Sequence, residues 1–117
     1  MSEYTIYHNP RCSKSRATLS LLEEHGVLPT VILYLDDTPT VEQLREICGK
    51  LDRVPGQLLR KGEDAYKASG LGADSTEEAI LQAMIAHPKL LERPIVVRGN
   101  HAVVGRPPEN VLGLIDA

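Results

Sequence analysis

The chain has no phenylalanine and no tryptophan, and four tyrosines are all that it offers in their place. A core without those large rings has to be filled by Leu, Ile, Val and Ala. No run of about 18 apolar residues occurs, so no membrane-spanning helix is expected. Lys and Arg form no dense stripe and the formal net charge is -3, which points away from nucleic acid and from anionic membranes as partners. Any anion site must therefore be local. The N-terminus passes into a strand-like run without a basic segment and a long apolar stretch behind it, so the expected location is cytoplasmic. Cysteine is scarce as well: Cys12 and Cys48 are too few for a disulfide framework, and both are expected to stay reduced.

What is present is ordinary globular material. With 117 residues, 42% hydrophobic and 25% charged, the expectation is one domain spanning 1–117. A domain of that size buries roughly two thirds of the surface its unfolded chain exposes.

The pattern opens with a strand over Tyr4 to His8, broken by Asn9-Pro10, and a helix from Ser13 to His25 closed by Gly26. Thr30 to Leu35 reads as a second strand, and its near-continuous apolar run suits a strand covered on both faces. A βαβ opening implies parallel pairing. Thr40 and Gln43 have capping-box spacing ahead of a helix whose apolar stripe is Val41, Leu44, Ile47, Cys48 and Leu51. Between Pro55 and Ala73 the periodicity is mixed, with short helical pieces around Leu58-Leu59 and Ala65 to Ser69. Ser75 and Glu78 have the same capping spacing before Ala79, Ile80, Ala83 and Met84, and His87-Pro88 ends that helix.

Pro94 to Arg98 and His101 to Val104 then flank Gly99-Asn100, a dipeptide suited to a tight hairpin. Pro107-Pro108 opens a last helix to about Ile115. The order βαβ, helices, ββα is that of an α/β, thioredoxin-like fold: a mixed four-stranded sheet flanked by helices, with a helical insertion at about 53–90.

Cys12 follows a strand and a proline-containing turn and precedes the first helix, so its sulfur is expected to face that helix's unpaired N–H groups. Those groups favour the thiolate, which is the nucleophilic form. Arg11 and Arg16 add positive charge. Cys48 sits on an apolar helical stripe and reads as a small buried hydrophobe. Ser15 stands three residues after Cys12, so the redox motif C-x-x-C is reduced to C-x-x-S and an internal disulfide there is impossible. A sulfur-bonded Cys12 would need an external thiol such as glutathione to release it. Arg16 lies four positions after Cys12, two short of the C-x5-R of a phosphatase loop, and His8, Cys12 and Cys48 lack zinc-ligand spacing. No metal site is expected.

The stretches H-N-P-R-C-S-K-S-R from His8, L-L-R-K from Leu58, E-R-P-I-V-V from Glu92 and G-R-P-P from Gly105 occur in order along the chain. Together they closely resemble the glutaredoxin- and glutathione-dependent arsenate reductase family. The resemblance implies a nucleophile, Cys12, that attacks arsenate held by Arg60, Arg93 and Arg106. His8 and Ser15 match family positions near the thiolate, with Arg16 beside them. It further implies glutathione as co-substrate, glutaredoxin as partner, no bound cofactor, and a monomer. A thioredoxin-like fold places a cis proline before the strand facing the nucleophile, which makes Arg93-Pro94 the expected cis bond.

Bare residues give the arginines a simpler reading as solvated charges, although Arg93 and Arg106 fall at sheet termini where a site can gather them. Guanidinium forks suit a tetrahedral oxyanion. Ser13-Lys14 replaces the Gly-Thr pair of plasmid-type members, which keeps open a glutathione-linked thiol oxidoreductase acting on another substrate. A redox-responsive regulator binding RNA polymerase shares the fold, but such proteins typically carry the C-x-x-C that Ser15 removes.

Overall fold

A computed structural model describes residues 3–72 and 74–115, and the chain divides into two compact units, 1–37 with 93–117, and 38–92. The first unit holds the sheet. Strands β1 (Tyr4–Tyr7), β2 (Thr30–Ile32), β3 (Ile95–Arg98) and β4 (His101–Val104) lie in the order β2-β1-β3-β4. β1 runs parallel to β2, with Ile6 opposite Val31, and antiparallel to β3, with Ile6 opposite Val96; β3 and β4 form the hairpin. Gly99 turns that hairpin at φ +59, a conformation that side chains disfavour.

Two helices of this unit, α1 (Ser13–Glu24) and α5 (Val111–Ile115), pack together. Tyr4, Ile6 and Val96 from the strands meet Leu22, Val27, Val111 and Leu114 in one buried cluster. Period-two alternation explains the choice: Tyr4 and Ile6 point to one face of β1 while Thr5 and Tyr7 point to the other. Arg98 closes the far end. Its guanidinium donates to the Leu114 and Ile115 carbonyls, lies 5.1 Å from the Tyr4 ring centroid and pairs with Glu3 at 3.2 Å. A cation at the C-terminal carbonyls of a helix is favourable.

β2 corrects the expectation of a strand covered on both faces. It stops at Ile32, it is a sheet edge paired only to β1, and Val31 and Leu33 are 44% and 41% exposed. An apolar run can mark an edge strand as readily as a central one, because periodicity alone does not distinguish them.

The second unit is helical: α2 (Val41–Leu51), α3 (Asp64–Ser69) and α4 (Glu77–Ala86), with 3-10 turns at Pro55–Leu58 and Pro88–Leu90. Leu44, Ile47, Leu58, Leu81, Met84, Leu90 and Leu91 are all buried. Thr40 and Gln43 form the expected capping box in both directions. The start of α4 differs from expectation: Thr76 is its N-cap, accepting from the Ala79 N–H, while Ser75 accepts from the Gly72 N–H in the preceding turn. Both residues can cap. The helix begins one position later, with the Ser75 hydroxyl already engaged by the Gly72 N–H, and Glu77 and Glu78 lie in its first turn, where carboxylates suit the helix dipole.

Arg93-Pro94 is cis, as expected, and Arg106-Pro107, for which no expectation was formed, is cis too. Among the described residues, no helix is long and apolar enough to cross a membrane and no cluster of His, Cys, Asp and Glu could hold a metal ion.

Candidate active site

The segment between β1 and α1 is a turn tied to itself. The His8 N–H donates to Ile32 O, carrying the parallel ladder one residue beyond the strands. Asn9 then accepts twice, from the Cys12 N–H at its carbonyl and from the Arg11 N–H at its side-chain oxygen, both at 3.0 Å. Pro10 fits between them because it brings no N–H to satisfy. Its carbonyl accepts from Arg16 Nη1 at 2.8 Å, which draws an exposed guanidinium back across the turn.

Cys12 is the N-cap residue of α1, extended at φ -94 and ψ 122, and its carbonyl accepts the first helical hydrogen bond from Arg16. Its side chain is half-buried and makes no capping hydrogen bond. The helix N–H groups thus make no direct capping bond to the sulfur. Cys48, on α2, is buried, and burial first, then Glu77, push its thiol above the ordinary range against a smaller opposing pull from Arg45.

A buried polar pair joins the end of the first strand to the first turn of α1. His8 Nδ1 and Ser15 Oγ are 2.7 Å apart, both side chains are buried, and the Asn9 N–H also donates to Ser15 Oγ at 3.0 Å. Buried polar atoms are held by such bonds or cost stability. Burial, and secondarily the nearby Arg16 guanidinium, hold His8 below the usual histidine range, so the ring is neutral at physiological pH. The pair therefore presents a hydroxyl and an uncharged imidazole under the turn.

Arg93 is separated from β3 by Pro94 alone and Arg106 from β4 by Gly105 alone, and the hairpin brings their backbones side by side: the Gly105 N–H donates to Pro94 O at 2.9 Å. Arg93 is half-buried and Arg106 exposed. Arg60 belongs to the other unit. There the Arg60 N–H donates to Leu90 O and the Glu92 N–H to Leu58 O, each at 2.7 Å, a short antiparallel bridge that fixes the backbone of Arg60. Its guanidinium meets Glu63 at 2.5 Å and Glu92 at 3.9 Å. These carboxylates set the direction of the fork. Sequence reasoning passed over them, although Glu63 stands three residues from Arg60, a spacing that commonly pairs charges.

Two further residues went unmarked. Thr18 is fully buried on α1, and its hydroxyl lies 2.8 Å from Lys14 O and 3.1 Å from Gly105 O. Gly105 has no room for a side chain: a Cβ there would stand 2.6 Å from Thr18 Oγ1 and 2.9 Å from Pro94 Cγ. The signal was the buried stripe of α1, Ser15, Thr18 and Leu22, whose first two members are polar. A helix face that turns polar toward its N-terminus marks something other than core.

With this geometry in hand, the likeness to known proteins is informative. The model of the ArsC family matches residues 7–114. An uncharacterised Escherichia coli protein, YfgD, is 52% identical over 114 residues, 94% of each chain. A Neisseria meningitidis protein named arsenate reductase is 48% identical over 113 residues, 95% of this chain and 97% of that one. Among solved structures, an arsenate reductase from Vibrio cholerae superposes with a TM-score of 0.89 at 47% identity, covering 94% of this chain and 95% of that one.

Proposed function

The chain belongs to the ArsC family, and from that premise we propose that it is an arsenate reductase in which Cys12 is the nucleophile and glutathione and glutaredoxin supply the electrons. The observation that carries the reading is the position of Cys12: the less buried of the two cysteines, at the N-cap of α1, in a turn whose Pro10 carbonyl holds the Arg16 guanidinium and whose flanks carry the buried His8–Ser15 pair. Thiolates at helix N-termini near cations are effective nucleophiles.

The Cys12 thiolate attacks arsenic(V), and one arsenate oxygen leaves as water after protonation, giving a thiol ester of arsenate. A glutathione thiolate then attacks Cys12 Sγ. The sulfur–arsenic bond breaks with its electron pair going to arsenic, so arsenic(V) becomes arsenic(III) while the two sulfurs are each oxidised by one electron. Arsenite leaves, and glutaredoxin reduces the Cys12–glutathione mixed disulfide. The protein needs no bound cofactor for these steps.

Arg93 and Arg106, whose flanking backbones are joined by the Gly105-to-Pro94 bond, act as oxyanion ligands in this reading, and Arg60 joins them through its place in the L-L-R-K motif. Guanidinium forks offer paired donors to tetrahedral oxyanions and gain as charge builds in the transition state. A cytoplasmic location, where glutathione is abundant, and a monomeric state complete the proposal.

The test is a coupled assay with purified protein, arsenate, glutathione, glutaredoxin and a glutathione-recycling system, measuring arsenite itself. Arsenite formation that vanishes in Cys12→Ser supports the reading. An inactive wild-type protein, or an active Cys12→Ser variant, overturns it.

A further inference from the structure

From the contacts around Gly105 we infer that Thr18 is a positioning residue, whose hydroxyl sets the two arginine-bearing backbone stretches against the first turn of the helix that Cys12 caps. The inference rests on the proposed arsenate reduction and assigns Thr18 a part in it.

The hydroxyl has one proton and two carbonyls within reach, Lys14 O at 2.8 Å and Gly105 O at 3.1 Å. A threonine that bonds only its own preceding turn is common in helices. This one is shared with a residue 87 positions away. Gly105 returns a second bond, its N–H to Pro94 O at 2.9 Å. A single chain of contacts thus runs from Lys14, in the first turn of α1, through Thr18 and Gly105 to Pro94. Arg106 is joined covalently to Gly105 and Arg93 to Pro94.

The packing is as strict as the bonding. Thr18 and Gly105 are buried, and a Cβ on Gly105 would come within 2.9 Å of both Thr18 Cγ2 and Pro94 Cγ. Glycine is therefore required by closeness and not by an unusual φ. Such a junction has little freedom to relax, so a change at Thr18 is passed to the flanking arginines. Thr18 itself need not touch substrate.

The experiment compares purified wild type with Thr18→Val, Thr18→Ser and Gly105→Ala. Two quantities are read: the steady-state kcat and KM for arsenate, and the arsenate concentration that half-protects Cys12 from iodoacetamide. Thr18→Val keeps the shape and loses the hydroxyl, and it should raise KM and the protecting concentration about tenfold, since small displacements of oriented groups have effects of this order. Gly105→Ala should do the same. Thr18→Ser, which keeps the hydroxyl, should stay within about twofold of wild type.

A purely structural Thr18 would lower the fraction of active protein, and so kcat, without moving KM or protection. That result, with wild type active and protected, overturns the inference and leaves the proposed function standing. A wild type that neither reduces arsenate nor is protected by it removes both. Should Thr18→Val fail to fold, Thr18→Ala, which opens space instead of filling it, provides the same comparison.

Discussion

Ser15 Oγ stands 2.7 Å from His8 Nδ1 with both side chains buried, joining the end of β1 to the first turn of α1. The same oxygen accepts from the Asn9 N–H. Ser15→Ala removes both hydrogen bonds at once, leaving His8 Nδ1 and the Asn9 N–H without that partner, and should lower stability by about 1–3 kcal/mol, the usual cost of stranding buried polar groups. Urea denaturation measures it. A midpoint equal to wild type would mean that water replaces the hydroxyl without loss.

His8 makes stability depend on pH in a definite direction. Its folded-state pKa lies below the ordinary value of about 6.5. Between those two values the unfolded chain binds a proton that the native protein does not, so stability rises with pH through that window and falls as pH drops through it. Below the folded value both states are protonated and His8 adds no further slope. His8→Gln should flatten the profile from about pH 6.5 downward, as read from denaturation midpoints across the range. An unchanged slope would show that His8 is not the group responsible.

Most of the fold was legible because its signals are local. Thr40 with Gln43, the Gly99-Asn100 hairpin and the helix after Pro10 each depend on neighbours within a few residues. Ser75 and Thr76 show the limit: two adjacent residues could cap α4, and spacing to Glu78 favoured the wrong one. The edge position of β2 was hidden because an apolar run does not reveal how many neighbours a strand has. In the site, Cys12, His8 and Ser15 share one motif and could be named together. Thr18 and Gly105 could not, since only the folded sheet carries β4 back to α1.

The two cysteines should separate cleanly in labelling. Cys12 is half-buried at a helix N-terminus, whereas Cys48 is buried and its thiol is held in the protonated form by burial and by Glu77. Native protein at neutral pH should take up iodoacetamide at Cys12 well before Cys48, as peptide mass mapping over time will record. Cys48→Ala should keep most of the arsenate reduction. Loss of activity in that variant would mean that Cys48 takes part as a second thiol, and the external-thiol mechanism would have to be replaced.

The arginines should divide activity from stability. Arg93→Ala, Arg106→Ala and Arg60→Ala should each depress arsenate reduction by about a hundredfold or more, the scale on which single oxyanion-binding donors act. The folds should hold. Arg60 pairs with Glu63 and Glu92 at a partly exposed position, and such pairs contribute about 0–1 kcal/mol, so its removal should hardly move the denaturation midpoint. Lysine at these positions keeps the charge and loses the planar fork, and it should recover activity only in part. Arg60→Lys carries an additional expectation, because Glu63 and Glu92 can still hold an ammonium in place: its KM for arsenate should improve on Arg60→Ala more than its kcat does. Wild-type rates in all three alanine variants would refute the assigned oxyanion site and favour a thiol oxidoreductase acting on a different substrate.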